Sequence, residues 1–192
     1  MGEQPLTRKI ADLEVLKALA HPRRQRILDL LSQGGPSTSA ELARKLDLNT
    51  GATSYHLREL AKHGFIEEVP ERARGRERWW RFVSADLRFP LRSEQDAETR
   101  ALLDEINARG VADDMRAFRL AQAAVEPGAW GDAFPYSRGA IRVTLPELVE
   151  FFEEYIALLM KYGKSAEEAD PEARLVQTRF YAYPNPPSDQ TS

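Results

Sequence analysis

A pair of short helical segments separated by a tight turn constrains the fold of this 192-residue chain more than any other feature. The first segment opens with Thr38 and Glu41, whose T-x-x-E spacing is that of a capping box. Residues 47–49 form the turn. A second helix is predicted over residues 50–63, and Gly64 is the predicted stop after it. The inner faces of the two helices carry Leu42, Ala43, Leu46, Thr53, Leu57, Leu60 and Ala61. Two short helices joined in this way predict a helix-turn-helix.

The segments on either side of this pair predict a winged version of the motif. Helices are expected over residues 12–20 and 22–32, because apolar residues recur there at spacings of three and four. After the pair, residues 65–69 and 78–83 are rich in β-branched and aromatic side chains, and the loop between them contains Gly75. These two runs predict a β-hairpin, which is the wing of a winged helix-turn-helix.

The charge of the chain is distributed unevenly between its two halves. The whole chain holds 30 acidic and 27 basic residues, a net charge of -3, which by itself argues against nucleic acid as a partner. Residues 1–92 hold 17 Lys and Arg against 12 Asp and Glu, a net charge of +5, whereas residues 93–192 hold 10 against 18, a net charge of -8. This asymmetry is typical of a nucleic-acid-binding module joined to a second functional region.

The polar face of the second helix of the pair is predicted to contact DNA. In a helix-turn-helix this helix lies in the major groove, and its outward side chains meet base edges and phosphates. Hydroxyl groups and Gly51 at the helix start suit a phosphate, and the Arg58 guanidinium can donate two hydrogen bonds to guanine. The alternative is an ordinary solvated face. The predicted contacts on this helix are Thr50, Gly51, Ser54, Tyr55, His56, Arg58 and Lys62.

Arginine recurs at every second position of the predicted wing. The four residues are Arg72, Arg74, Arg76 and Arg78. Side chains at this spacing project from one side of the backbone wherever it is extended. Crowded guanidinium groups attract an anion, and the phosphate backbone of DNA is the predicted one. The alternative is a charged hairpin that resists edge-to-edge aggregation.

Three stretches of sequence occur in the order expected for a known family. They are ALAHPRRQRIL at 18–28, SAELARKLDLNTGATSYHLRELAKHGFIEEV at 39–69, and RGRERWWRF at 74–82. Together they resemble the DNA-binding domain of ArsR-type winged-helix transcriptional regulators, over roughly the first 85 residues. The resemblance implies a dimeric bacterial transcription factor, usually a repressor, that binds a roughly palindromic operator and leaves it when an effector binds.

The resemblance implies that Ser54, Tyr55 and Arg58 contact DNA, and His56 matches a histidine of the family. Packing against the preceding helix and contact with a phosphate are both open to His56. The chain departs from the metal-sensing members, which carry cysteines beside the turn or histidines in a C-terminal helix. It has no cysteine, and no histidine follows His63. A thiophilic metal effector is therefore excluded, a zinc or nickel site is not expected, and no cofactor is predicted.

The sequence predicts an α+β fold with a division near residue 92. Residues 1–92 form the winged helix-turn-helix domain and residues 93–183 a mainly helical C-terminal region for dimerisation or effector binding. Residues 184–192, PNPPSDQTS, are expected to be a disordered tail. No stretch approaches the roughly 18 consecutive apolar residues of a membrane helix. We therefore expect a soluble, cytoplasmic protein without a membrane partner.

The C-terminal region is predicted to contain one long helix and a small strand-helix-strand element. The long helix spans residues 93–125 with Gly110 as a weak point, and it either pairs across a two-fold axis or packs on the chain's own core. Residues 141–143 alternate as in a short strand, a capping box then opens a helix that ends at Gly163, and residues 175–183 resemble a strand. This element completes a dimerisation or effector region.

Aromatic residues of the C-terminal region admit two interpretations. Trp130, Phe134, Tyr136 and Tyr155 form either an apolar pocket for an unknown small-molecule effector or an ordinary core.

The sequence favours binding over catalysis. The C-terminal half has no histidine, cysteine, Gly-x-Ser-x-Gly or phosphate-binding glycine loop, so the usual parts of nucleophilic and metal-assisted chemistry are missing. The predicted function is sequence-specific binding of double-stranded DNA by a homodimeric regulator, not an enzyme. The alternatives are a winged-helix protein-interaction module and, less favoured, a small-molecule-processing enzyme in the C-terminal half.

Overall fold

The computed structural model describes residues 6–75, 77–124, 128, 130–163 and 169–185. The chain divides into two compact units, Met1–Tyr162 and Gly163–Ser192. The described part of the second unit has no regular secondary structure. Within the described residues, no helix is long and apolar enough to cross a membrane.

The four helices predicted for the N-terminal half are confirmed. They are α1 (Leu13–Ala20), α2 (Pro22–Gly34), α3 (Ser39–Leu46) and α4 (Thr50–Lys62). The predicted capping box of α3 is complete, because the Thr38 hydroxyl accepts from the Glu41 amide at 3.2 Å and the Glu41 carboxylate accepts from the Thr38 amide at 2.9 Å. Asp47 ends α3 in the left-handed conformation with φ of 53°. This reversal turns the chain from α3 into α4.

A small antiparallel sheet forms the predicted wing and continues to an unpredicted strand. The described residues contain five strands, of which three form this sheet. They are β1 (Leu6–Lys9), β2 (Ser37–Thr38), β3 (Ile66–Glu68), β4 (Trp79–Phe82) and β5 (Ala85–Arg88). The order in this sheet is β2-β4-β3, with Ile66 opposite Phe82 and Ser37 opposite Trp80. The other two strands, β1 and β5, pair in parallel. Strand β2 has only two residues, and three of the four residues of β1 are polar, so neither strand shows enough alternation to be recognised from the sequence.

The hydrophobic core lies between the four N-terminal helices and the sheet. Leu16, Ile27, Leu42, Leu57 and Leu60 are fully buried. Trp80 of the wing and Phe65 are also part of this core, so the wing is anchored to the helices. The helix-turn-helix is therefore a rigid scaffold for the side chains on its outer surface.

Helix α5 (Ala97–Ala123) is continuous, so it has no break at Gly110, the residue predicted as a weak point or break. A glycine inside a helix costs only about 1 kcal/mol relative to alanine, which the flanking turns offset. Leu103 packs into the core, and the Arg109 guanidinium donates to the carbonyl of Ala20 at 2.7 Å. These contacts hold the first half of α5 against α1.

Helix α6 (Leu145–Tyr162) is the predicted second helix of the C-terminal region. Its capping box is confirmed, since the Glu147 carboxylate accepts from the Thr144 amide at 2.6 Å. The strands predicted at 141–143 and 175–183 are wrong, because neither segment has a regular conformation. Alternation of side chains suits a strand, but a strand also needs a neighbour to pair with its backbone groups.

Side chains of β5 and α6 form an ion pair within the first unit. The Arg88 guanidinium donates to both carboxylate oxygens of Glu153, at 2.6 and 2.9 Å, and to Asp86 at 2.6 Å. This pairing raises the pKa of Arg88 and lowers the pKa of Glu153. The Arg88 guanidinium also lies 5.5 Å from the centre of the Phe152 ring. No residue of α6 is buried in this arrangement.

Candidate nucleic-acid interface

Helix α4 buries the stripe that the sequence predicts. Thr53, Leu57 and Leu60 are completely inaccessible to solvent, and Ala61 is half-buried. The Thr53 hydroxyl donates to the carbonyl of Asn49 at 3.1 Å, which satisfies its polar group. The burial of this stripe fixes the rotation of α4 about its axis, so the opposite face is turned to solvent.

The first turn of α4 is open to solvent and suited to a phosphate. The Asn49 side chain caps the helix by accepting from the Ala52 amide at 2.7 Å. Thr50 and Gly51 are exposed beside it. Helix N-termini bind phosphate because unpaired backbone N–H groups and the helix dipole both favour an anion.

Ser54 joins the two helices of the motif. Its hydroxyl lies 2.8 Å from the Ser39 hydroxyl, and Ser39 also donates to the Thr50 carbonyl at 3.2 Å. Ser54 is only half-buried, but in this arrangement it positions α4 against the start of α3. Ser39 was not identified from the sequence, because a serine at a helix start is common and its partner lies fifteen residues away.

The exposed face of α4 carries Tyr55, Arg58 and Lys62. The Tyr55 side chain is 53% exposed. Neither Arg58 nor Lys62 forms an ion pair with a described carboxylate. Spacings of three and four place these residues in one row with Gly51. The row presents a phenol and two cations next to the open first turn.

His56 does not belong to that exposed row. It is only 6% exposed, and its ring lies 4.8 Å from the ring of His21. The His21 side chain caps α2 by accepting from the Arg23 amide at 3.2 Å. The structure supports the packing role for His56, with His21 at the start of α2 as the neighbouring ring. A direct phosphate contact by His56 does not fit its burial.

The paired imidazoles predict a pH-dependent stability. Burial, and then the neighbouring His21 and Arg24, lower the pKa of His56 from its ordinary value of 6.5. Burial, Arg24, Arg23 and Arg109 likewise lower the pKa of His21. The unfolded chain therefore takes up protons at a higher pH than the folded chain, so folding stability falls as the pH drops below 6.5.

We expect the urea midpoint of the protein to fall between about pH 7 and pH 5, before the capping carboxylates titrate. The Thr38 amide lowers the pKa of the Glu41 carboxyl from 4.5, so the stability that Glu41 contributes is lost only below that pH range. His21→Asn keeps a capping oxygen on α2 but removes one imidazole, and its midpoint is expected to vary less with pH. A wild-type midpoint that is constant from pH 7 to 5 would refute the account.

The wing differs from the predicted row of parallel arginines. The strands end at Glu68 and begin again at Trp79, and a 3-10 turn spans Pro70–Arg72. Because the loop backbone is not continuously extended, spacing by two does not align the side chains. The Arg72 guanidinium lies 5.8 Å from the centre of the Trp79 ring, and Arg78 pairs with Glu68 at 2.9 Å.

The remaining wing arginines differ in what the structure describes. Arg74 is exposed and forms no ion pair with a described residue. Arg76 lies outside the described residues. The wing therefore presents Arg72 and Arg74 as exposed cations, with Arg78 held by an acidic neighbour.

A further basic pair lies in the last turn of α3, facing the wing residue Trp79 across a groove. Arg44 and Lys45 are exposed at the end of α3 and line an open groove of about 370 Å³ together with Trp79. They were not identified from the sequence, although two adjacent cations in the first helix of the pair were a usable signal. They extend the positive surface from the wing toward the turn.

The four aromatic residues predicted as a ligand pocket differ in their exposure and in their described contacts. Tyr136 is 73% exposed, and Trp130 is 38% exposed. Phe134 packs edge-on against Phe118 of α5 with ring centres 6.2 Å apart, and Tyr155 lies beside Phe152 within α6. Neither the groove beside Trp79 nor the cavity described below is lined by any of them.

Comparison with known proteins identifies the class of the N-terminal region. Residues 19–69 match the family model described as a helix-turn-helix domain. The N-terminal region thus contains a helix-turn-helix domain, and the hairpin of β3 and β4 makes it a winged one. The match ends just after β3, the first strand of the wing, and the second strand of the wing, β4, lies beyond it.

Two curated relatives and one solved structure are similar to part of this chain. The chain is 48% identical over 54 residues to the HTH-type transcriptional regulator YgaV of Escherichia coli, covering 28% of this chain and 54% of YgaV. It is 40% identical over 76 residues to the LexA repressor of Shewanella loihica, covering 36% and 37% of the two chains. The chain therefore spans about half the length of the first relative and little more than a third of the second.

The solved structure is a solution structure from Mycobacterium bovis. It is described as the homodimeric winged helix-turn-helix DNA-binding domain of a possible ArsR-family transcriptional regulator. Sequence identity is 25%, the aligned region covers 53% of this chain and 76% of that chain, and the TM-score is 0.34.

Proposed function

We propose that this chain is a sequence-specific DNA-binding transcriptional regulator, and that it acts by binding and not by catalysis. The observation that carries the proposal is the exposed row on α4, with its open first turn, held on a fully buried scaffold and flanked by a basic wing. The relatives YgaV and LexA, which are similar to part of this chain, are named as a transcriptional regulator and a repressor. A repressor role is part of the proposal.

Each part of the surface has a separate task in this proposal. Helix α4 enters the major groove, where Arg58 donates to a guanine edge and Tyr55 lies over neighbouring bases or sugars. The amides of Thr50 and Gly51 hold a phosphate at the start of the helix. Arg72 and Arg74 of the wing hold the phosphate backbone alongside, which adds affinity without sequence information.

We further propose that the chain acts as a homodimer bound to a roughly palindromic site. Beyond Ile106, helix α5 leaves Val111 and Met115, which lie one turn apart on the same side, exposed by 41% and 43%. Apolar side chains repeated along an exposed helix indicate an interaction surface. A two-fold pairing of α5 covers them and sets two copies of α4 at the fixed separation that a palindrome requires.

The wing is tested by replacing a single cation. Arg74→Ala is expected to weaken binding to all duplexes by a similar factor, about threefold to tenfold per protomer, because a phosphate contact carries no sequence preference. Fluorescence anisotropy with a specific and an unrelated duplex measures both effects.

Arg116→Ala is the charge-matched control for this measurement, since Arg116 is exposed on α5 and pairs with Asp113 at 3.0 Å. It is expected to leave both affinities unchanged within twofold, on the order of experimental error. If Arg74→Ala weakens binding only to the specific duplex, the wing contacts bases and not the phosphate backbone.

A further inference from the structure

A cavity of about 420 Å³ lies at the C-terminal end of α4, on the inner side of the helix-turn-helix. Its walls come from β1, α1, α2, the end of α4, and the segment from β4 to β5. Cavities of this size hold small organic molecules. No part of the proposed DNA contact except Lys62 lines it.

The walls of the cavity are largely apolar and only partly covered. Leu28, Phe82, Val83 and Leu87 line it and are half-buried. Leu19, which is 7% exposed, and Phe65 close its inner side. Apolar side chains left half-covered around a concave space favour a ligand with an apolar body.

Two cations face this apolar space. The Arg8 guanidinium lies 4.6 Å from the centre of the Phe65 ring and donates to the carbonyl of His63, so it is held in place. Lys62 lines the cavity from the last turn of α4. No Asp or Glu lines the cavity, and neither cation forms an ion pair with a described carboxylate.

We propose that this cavity binds a small organic carboxylate with an apolar body, and that its occupancy alters the affinity of the chain for DNA. A fixed guanidinium recognises a carboxylate well, because its planar N–H donors match the two oxygens. The second half of the proposal rests on the proposed function: Lys62 belongs to the exposed row of α4, so a carboxylate that draws its ammonium group toward the cavity removes it from the DNA.

The site is tested without DNA by calorimetric titration of the full chain with 4-phenylbutyrate and its uncharged analogue 4-phenylbutanol. The expected result is saturable binding of one carboxylate per chain, at least about fivefold tighter than the alcohol, since only the carboxylate pairs with Arg8. Arg8→Gln is expected to abolish this preference while leaving the affinity for the alcohol within about twofold. Absence of saturable binding, or equal affinity for the two compounds, overturns the proposal.

A pair of neighbouring substitutions locates the ligand. Ala85 lines the cavity, and Ala85→Phe is expected to fill it and weaken 4-phenylbutyrate binding by at least about tenfold. Ser84 is exposed and does not line the cavity, so Ser84→Phe adds the same ring beside it and is expected to bind normally. If both variants bind 4-phenylbutyrate equally well and unfold near the wild-type midpoint, the ligand binds elsewhere and the proposed site is wrong.

The coupling to DNA is measured separately. Saturating 4-phenylbutyrate is expected to weaken duplex binding by wild type at least about fivefold, and to leave duplex binding by Ala85→Phe unchanged. If 4-phenylbutyrate leaves the duplex affinity of wild type unchanged, the proposed effect on DNA binding is refuted, whereas the proposed carboxylate site is not. If wild type binds no duplex, the proposed function fails, and the titration without DNA still decides whether the cavity is a carboxylate site.

Discussion

Duplex binding by the wild-type homodimer is expected to weaken about 10⁴- to 10⁵-fold when the salt concentration rises from about 50 to about 200 mM. The physical reason is the release of counterions from each phosphate that a cation neutralises, which contributes a log–log slope of about -0.9 per contact. Roughly four to five such contacts per protomer, or about eight to ten per homodimer, come from Arg72 and Arg74 of the wing, Lys62 of α4 and the Arg44–Lys45 pair.

Fluorescence anisotropy at a series of potassium chloride concentrations measures this slope. The net charge of -3 makes the result informative, because a chain with that total is not expected to bind a polyanion unless its basic half acts locally. Under the same conditions Arg74→Ala should reduce the magnitude of the slope by about one for each protomer, and Arg116→Ala should not. An affinity that is insensitive to salt contradicts the role assigned to the wing.

Replacement of Arg58 is expected to have the largest effect on sequence selectivity. Arg58→Ala should lose about 1–3 kcal/mol of discrimination between the specific site and an unrelated duplex, which is the energy of a bidentate contact with guanine. Arg58 is exposed in the centre of the row on α4, and no described carboxylate competes for its guanidinium. Competition binding with the two duplexes gives the ratio directly.

Arg58→Lys is the matched control, because it keeps the positive charge and loses the planar pair of donors. It should bind unrelated duplexes as well as wild type does and still lose most of the discrimination. If both variants keep the wild-type ratio, α4 is not oriented with Arg58 toward the bases.

The N-terminal fold was predictable because its local signals agree with one another. The Thr38–Glu41 capping box, the turn at Asp47 and the apolar stripe of α4 each specify one step, and the structure contains all of them. Such agreement between local preference and the tertiary fold is typical of sequences that specify one structure. The exposed row on α4 then followed from the buried stripe alone.

The wing and the buried histidine show where sequence reasoning failed. Spacing by two aligned the four wing arginines only under the assumption of an extended loop, and the 3-10 turn at Pro70–Arg72 removes that assumption. His56 was ambiguous because its partner, His21, lies thirty-five residues away and becomes a neighbour only in the folded chain. Contacts between distant residues decide both cases.

The C-terminal region was predictable in its helices and not in its strands. The Thr144–Glu147 capping box marks the start of α6, because it depends on four consecutive residues. Residues 141–143 show the alternation of apolar and polar side chains that a strand has, but whether they form a strand depends on a partner strand elsewhere in the chain. The cavity beside Arg8 was also unpredictable, since β1, which supplies Arg8, is recognisable only through its pairing with β5.

The central claim is that this chain binds specific DNA sequences through α4, and selection of bound fragments from the genome of its source organism tests it most directly. Wild-type protein is expected to enrich fragments that share a roughly two-fold symmetric motif, with half-sites about 10 base pairs apart or a multiple of that spacing. Arg58→Ala should enrich them poorly. Recovery of no enriched duplex by folded wild-type protein would contradict the claim and favour a winged domain that binds protein.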